Sequence, residues 1–371
     1  MSLSAAIIVN DEALALDACL TSLRGLVDEI VVVDTGSKDR SVAVAERHGA
    51  VIADESWRDD PAAPRNRTLA LATGDWILSV NAAERVAGEF AAARAALDAA
   101  PESIAFRVRS FPRVGWTPIL EPRVWRNRPD IRFDGHLHET VAAAIAGVAE
   151  RDQLRIDPFE HLTIHENSDL EPVDRRARDE PRLLAELTRH SDHAYVYDHL
   201  ARLYAAAGDS ERAMDTWKQG IGVSRAHDPA QPDDRLVYVN LVHHLLAHGV
   251  VDDELESLVD EARERFERTP TLELAAARLA FATGRPRDAL EPLDWLVGLD
   301  DDSIMATGAS YDERVFGEWA WGLLGLCRFA LGDDAAASDA FRRAELLAPT
   351  DPSYGARRRL AEARAGTPTV I

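Results

Sequence analysis

The largely apolar run from Trp76 to Val80 limits the fold more than any other stretch of the sequence. A Gly-Asp pair precedes it and Asn81 follows it, so its length and its flanks predict a short buried strand. Similar runs occupy residues 5–9, 29–33 and 51–53, and helical patterns separate these three runs from one another. Such an alternation of strands and helices predicts a parallel sheet covered by helices, so we expect an α/β domain in the first half of the chain.

Polar residues stand where the predicted strands end. Asp34 follows the run at 29–33, and Asn81 and Glu84 follow the run at 76–80. In open α/β sheets, ligands bind at the carboxyl ends of the strands, so this edge is the expected floor of a binding site. No G-x-G-x-x-G turn follows the first strand, which argues against a dinucleotide site of the dehydrogenase type. Taken alone, Asp34 is either a ligand contact or a turn-forming residue.

The composition and charge of the chain exclude some classes of function. The formal net charge of −22 argues against a general nucleic-acid or anionic-membrane binder, because both need clustered cations. No apolar run approaches the ~20 residues that span a bilayer, and the N-terminus has no basic region typical of a signal peptide. Cys19 and Cys327 each lie in an apolar, helical pattern, which predicts buried free thiols in a reducing compartment. We therefore expect a cytoplasmic protein with neither a nucleic-acid partner nor a transmembrane segment.

Five segments of the first half resemble family-2 glycosyltransferases and have the order and spacing of that family. They are residues 33–39 (VDTGSKD), 57–66 (WRDDPAAPRN), 74–84 (GDWILSVNAAE), 122–127 (PRVWRN) and 131–139 (IRFDGHLHE). The resemblance implies an A-type glycosyltransferase fold, an α/β unit that binds a nucleotide-sugar, and we place this domain at residues 1–170. It also implies transfer of a sugar from a nucleotide-sugar, with a UDP-sugar as the expected donor, and inversion at the anomeric carbon.

The same resemblance implies roles for residues on the nucleotide side of the cleft. Asp34 would accept a hydrogen bond from the nucleoside base, and Arg65 would contact the base or the diphosphate through its planar guanidinium. Asn81, in the position of an aspartate of the family, would also contact the nucleotide. Arg123 and Arg126 belong to a cluster of arginines that would form a cationic wall facing the diphosphate. The residues alone leave two alternatives open. The arginine cluster is a solvated surface, and Arg65 pairs with Asp59 or Asp60.

On the acceptor side, the resemblance makes Glu139 the candidate general base. Such a base accepts the proton of the acceptor while the acceptor's oxygen or sulfur attacks the anomeric carbon. His138, directly before it, would complete the coordination of a metal ion. Both residues would then line the cleft.

The segment that binds metal in the family is altered in this chain. Two aspartates of the family hold a divalent cation that binds the diphosphate, but Asn81 and Ala83 take their positions and only Glu84 is kept. An amide oxygen can coordinate Mg²⁺ or Mn²⁺, whereas a methyl group cannot. Three hypotheses remain open. Glu84 and His138 hold the metal, or the arginines supply the charge without a metal, or the protein is a catalytically impaired pseudo-glycosyltransferase that serves as a nucleotide- or partner-binding scaffold.

The second half, residues 171–371, has helical periodicity throughout. Glycines break the pattern at 208, 249, 284 and 332, at intervals of 41, 35 and 48 residues. Tetratricopeptide repeats have a period of about 34 residues, so these intervals fit such repeats with insertions. We therefore predict an all-α region of tetratricopeptide-like repeats after the α/β domain, an arrangement that is also recognised among family-2 glycosyltransferases. Stacked helix pairs form a groove that would hold a peptide, protein or small-molecule acceptor. A plain helical packing domain or a homodimer surface is the alternative.

Overall fold

The computed structural model describes residues 1–55, 62–135, 139–166 and 176–366, with the side chains of 176–178 and 232 outside the description. The chain divides into two compact units. The N-terminal unit comprises Met1–Pro172 and Gly308–Ser310, and the helical unit comprises Val173–Thr307 and Tyr311–Ile371. The domain boundary predicted between residues 170 and 171 falls outside the described residues.

Within the described residues, the N-terminal unit is built on one eight-stranded sheet with helices packed on it. The strands are β1 (Leu3–Val9), β2 (Glu29–Asp34), β3 (Val51–Asp54), β4 (Trp76–Ser79), β5 (Glu84–Gly88), β6 (Ser103–Phe111), β7 (Ile119–Arg126) and β8 (Arg155–Glu166). The helices are α1 (Ala13–Ser22), α2 (Ser41–Arg47), α3 (Ala62–Leu71), α4 (Phe90–Asp98) and α5 (Ala142–Asp152). The strand order is β3-β2-β1-β4-β7-β6-β8-β5.

The first four strands form the predicted parallel part of this sheet. β1 pairs in parallel with β2 and β4, and β2 pairs in parallel with β3. β7 then runs antiparallel to both β4 and β6. Because Val9 is in register with Asp34, and Ala6 with Ser79, the carboxyl ends of β1, β2 and β4 lie along one edge of the sheet.

Apolar side chains cover both faces of the sheet. Leu20 of α1 and Leu97 of α4 belong to one buried cluster with Trp76, whereas Ile145 of α5 belongs to a second cluster with Ile77. Successive side chains of a strand point to opposite faces, so the apolar run of β4 is buried on both sides. This is why the run is apolar at every position but Ser79, and it fixes the point at which the chain leaves the core for Asn81.

The described residues of the helical unit form successive helices, as predicted. Its helices are α6 (Arg176–Arg189), α7 (Ala194–Ala206), α8 (Ser210–Arg225), α9 (Arg235–Ala247), α10 (Asp253–Arg265), α11 (Pro270–Ala282), α12 (Leu290–Val297), α13 (Asp301–Ala306), α14 (Glu318–Ala330), α15 (Asp334–Leu347) and α16 (Pro352–Ala365), with short 3₁₀ turns at Pro232–Asp234 and Glu313–Val315. The predicted glycine breaks follow the ends of α7, α9, α11 and α14. Gly208, Gly249, Gly284 and Gly332 all have positive φ there, between 72° and 82°. Glycine adopts this left-handed conformation without strain, and it ends a helix.

The predicted fold class, an α/β domain followed by an all-α region, is therefore confirmed. Across the part of the chain that the structure describes, none of the helices combines the length and the apolar character that crossing a membrane requires.

Candidate active site

The chain turns sharply where β4 ends. The backbone N–H of Glu84 donates to the carbonyl of Asn81 at 2.9 Å, which closes a turn through residues 82 and 83. Glu84 then begins β5, a strand that pairs with β8 rather than with β4. The turn brings the Glu84 carboxylate back onto Asn81, whose backbone N–H and side-chain amide donate to it at 2.7 and 3.0 Å. A strand continuing straight through this segment would have pointed Glu84 away.

Arg123 of β7 completes the surroundings of Glu84. Its two terminal nitrogens donate to the two carboxylate oxygens of Glu84 at 2.8 and 3.1 Å, and one of them also donates to Glu121 at 2.8 Å. The Arg123 and Glu84 side chains are only 13% and 11% exposed. Burial alone would lower the pKa of Arg123, but the charges of Glu84 and Glu121 outweigh it and raise that pKa. Arg123 therefore stays charged, in a bidentate pair that excludes most water.

Arg65 of α3 links this pair to the candidate base. Its Nε donates to Glu139 at 2.5 Å, and a terminal nitrogen donates to the side-chain oxygen of Asn81 at 3.0 Å. Its guanidinium carbon lies 5.4 Å from the centre of the Phe133 ring. Hydrogen bonds thus run from Glu139 through Arg65, Asn81 and Glu84 to Arg123, and we call these five residues the polar chain. The aspartates that sequence analysis left as alternative partners of Arg65 lie outside the described residues.

The polar chain does not fit a divalent metal ion. The Asn81 side-chain oxygen already accepts a hydrogen bond from Arg65, and the two Glu84 oxygens accept four N–H bonds from Asn81 and Arg123. Ala83 carries only a methyl group, and His138 lies outside the described residues. Hard cations need several oxygen ligands that are not shared with competing cations. Two guanidinium groups lie among these ligands instead.

Asp34 lies at the carboxyl end of β2, as predicted, and is 6% exposed. Its carboxylate accepts hydrogen bonds from the backbone N–H groups of Gly36 and Ser37, at 3.1 and 3.0 Å. It therefore shapes its own turn, which was one of the two alternatives. The neighbouring loop is tied to the same turn, because the Asp11 backbone N–H donates to the Ser37 hydroxyl at 2.9 Å. Asp11, whose φ of 54° is unusual outside glycine, was not singled out by sequence analysis.

Arg126, the other arginine predicted at the nucleotide site, lies outside the polar chain. It is in register with Trp76, at the amino end of β4, and its guanidinium carbon lies 4.4 Å from the centre of that indole ring. Its nitrogens donate to the carbonyls of Ser103 and Ala100 at 2.8 and 2.7 Å. Arg123 and Arg126 are three residues apart on one strand, so their side chains leave it on opposite faces. The structure brings Arg65, Asn81, Glu84, Arg123 and Glu139 together and leaves Arg126 out.

Comparison with known proteins identifies this unit. Residues 4–95 match the family model "Glycosyl transferase family 2". The N-terminal unit carries a family-2 glycosyltransferase domain. The match ends after β5 and within α4, so it includes Arg65, Asn81 and Glu84 but neither Arg123 nor Glu139.

Relatives of known sequence support the same assignment. The chain is 35% identical over 265 residues to a TPR repeat-containing protein of Synechococcus elongatus, covering 69% of this chain and 64% of that protein. An uncharacterized glycosyltransferase of Rickettsia felis is 34% identical over 87 residues, 24% of this chain and 30% of that protein. The chain thus matches less than two thirds of either relative. The predicted combination of a family-2 glycosyltransferase domain with a tetratricopeptide-like helical region is confirmed.

Among solved structures, the crystal structure of S. aureus TarS shares 15% identity over 76% of this chain and 54% of that chain, with a TM-score of 0.38.

Proposed function

We propose that the protein is an inverting glycosyltransferase that takes its sugar from a nucleotide-sugar, with UDP-sugars as the first donors to test. The family-2 domain supports sugar transfer. One observation carries the chemistry: two largely buried guanidinium groups, Arg65 and Arg123, lie with Glu139 in one hydrogen-bonded chain at the strand-end turn. The acceptor is a peptide, a protein or a small molecule, and its recognition is assigned to the helical unit.

Positive charge in this proposal comes from arginine. A leaving diphosphate carries negative charge that must be stabilised as the sugar departs, and a planar guanidinium can bind two phosphate oxygens at once. Arg123 is already neutralised by the bidentate Glu84 and by Glu121, so it holds the turn in place. Arg65 is 17% exposed and pairs with one carboxylate, Glu139, rather than two, so it is the guanidinium that the diphosphate can engage.

Donor binding would then prepare the base. When the diphosphate binds Arg65, the guanidinium no longer donates its hydrogen bond to Glu139. The carboxylate oxygen of Glu139 is then free to accept the acceptor's proton. The acceptor's oxygen or sulfur forms a bond to the anomeric carbon, and its proton passes to Glu139. The bond from that carbon to the diphosphate oxygen breaks, and the electron pair leaves with UDP.

Glu139→Gln tests this assignment. We expect the variant to bind UDP at least as tightly as the unmodified protein does, because Glu139 no longer competes for Arg65, but to lose about 100- to 10,000-fold in turnover, because an amide cannot accept the proton. Release of UDP from a panel of UDP-sugars, in chelator and with a peptide or water as acceptor, measures turnover. Glu121→Gln is the matched control, since Glu121 is a carboxylate bound to Arg123 rather than to Arg65.

Two outcomes would contradict the proposal. Equal turnover in Glu139→Gln and Glu121→Gln would remove Glu139 as the base. Nucleotide binding without turnover of any donor by the unmodified protein would favour the second candidate, a pseudo-glycosyltransferase scaffold. That candidate is supported by the pairing of both carboxylates of the polar chain with arginine.

A further inference from the structure

Two histidines meet in the short connection between α6 and α7 of the helical unit. His190 directly follows α6, and His193 is the residue before α7. The backbone N–H of His193 donates to the carbonyl of His190 at 3.3 Å, so the connection makes a tight turn. The two imidazole rings stack, with centroids 5.0 Å apart and planes 7° apart. The turn therefore holds two nitrogen ligands side by side.

Asp192 adds an oxygen ligand to this pair. One ligand atom from each of His190, Asp192 and His193 can be chosen so that all three lie within 4.8 Å of one another. Tetrahedral zinc holds such atoms at about 2.0–2.2 Å, which places them about 3.3 Å from each other. Binding one ion therefore requires side-chain rotations that draw the three ligand atoms together, and Asp192 is exposed while both histidines are only half-buried.

The surroundings favour a cation. The carboxylates of Glu186, which is 5% exposed, and of Asp233 both act electrostatically on the Tyr195 hydroxyl. That hydroxyl lies 3.5 Å from Nδ1 of His193. The charges of Glu186 and Asp233 therefore reach a direct neighbour of His193. Two imidazoles and one carboxylate suit Zn²⁺, Ni²⁺ or Cu²⁺ rather than the all-oxygen preference of Mg²⁺ and Ca²⁺.

We propose that His190, Asp192 and His193 bind one transition-metal ion, with Zn²⁺ the first to test. Three protein ligands leave a fourth tetrahedral position to water. The ion would join the end of α6 to the start of α7 and so fix the first helix pair of the helical unit. This site lies outside the polar chain and does not depend on sugar transfer.

Zinc titration of the full chain tests the site. The protein should carry no polyhistidine tag and should be stripped with chelator and desalted before competition against a chromogenic zinc indicator. We expect one equivalent of Zn²⁺ per chain and a loss of more than about tenfold in affinity in His190→Ala and in His193→Ala. His161→Ala is the matched control, because His161 is an exposed histidine of the N-terminal unit, and it should change nothing.

A variant at the exposed Asp192 keeps the test decisive if a histidine variant fails to fold. Asp192→Ala should leave the circular dichroism spectrum unchanged and weaken Zn²⁺ binding by at least about fivefold, since one of three protein ligands is gone. The proposal is overturned if zinc uptake by the unmodified protein does not saturate near one equivalent. It is equally overturned if Asp192→Ala binds Zn²⁺ as tightly as His161→Ala.

Discussion

Replacing Arg123 by alanine is expected to destabilise the N-terminal unit by about 3 kcal/mol, because the change leaves the Glu84 carboxylate buried without its cation. The Glu84 side chain is 11% exposed and, of the hydrogen bonds described above, would keep the two from Asn81. For a unit of this size, the expected fall in the midpoint of thermal unfolding is about 6–12 °C. Differential scanning calorimetry and urea unfolding, followed on the transition of the N-terminal unit, measure it.

Arg126→Ala is the matched control for this prediction. Arg126 lies on the same strand, but its nitrogens donate to neutral carbonyls, so its removal should cost less, about 1–2 kcal/mol. Adding Glu84→Gln to Arg123→Ala should recover about 1–2 kcal/mol, because the uncompensated charge disappears. Equal losses in the two arginine variants, or no recovery in the double variant, would show that the Arg123–Glu84 pair does not hold the turn.

Replacing Arg65 by alanine is expected to raise the dissociation constant of UDP about 10- to 100-fold, which corresponds to about 1.4–2.8 kcal/mol. The reason is the loss of the guanidinium that the proposal assigns to the diphosphate. The dissociation constant of Arg65→Lys should lie between those of the unmodified protein and Arg65→Ala, since an ammonium keeps the charge but cannot bind two oxygens in a plane. Calorimetric titration with UDP measures these constants directly.

Arg67→Ala provides the comparison for Arg65. Arg67 is an exposed arginine on the same helix, so its removal changes net charge equally without touching the polar chain. We expect the dissociation constant of UDP for this variant to stay within about twofold of that for the unmodified protein, because an exposed charge contributes little to binding. Indistinguishable UDP affinities in the Arg65 and Arg67 variants would take Arg65 out of the nucleotide site.

Much of the fold could be predicted from the sequence, because local patterns determine it. Three of the four buried residues of β4 are apolar, and glycines with positive φ stand where α7, α9, α11 and α14 end. Strand ends also place Asp34 and Asn81 on one edge, since parallel strands share their direction. These features depend on residues close in the chain or on a general rule of sheet topology.

The pairings inside the site could not be predicted in the same way. The bond between Arg123 and Glu84 requires β7 to lie antiparallel beside β4, with Val124 opposite Leu78. Nothing in the spacing of the arginines sets that register, so Arg123 and Arg126 looked equivalent. The turn after Asn81 likewise decides where Glu84 points, and alanines at 82 and 83 carry no strong turn signal.

We propose that arginine charge takes the place of a divalent cation in binding the nucleotide. Calorimetric titration of the unmodified protein with UDP, in chelator and again with Mn²⁺, tests it most directly. The double variant Asn81→Asp with Ala83→Asp serves as the comparison, because it restores two carboxylates and should bind UDP more tightly with Mn²⁺. For the unmodified protein we predict saturable binding with dissociation constants that agree within about twofold in the two buffers. A gain of tenfold or more in UDP affinity with Mn²⁺ would show that a metal ion takes part in nucleotide binding. It would also mean that Glu84 leaves Arg123 to hold that ion.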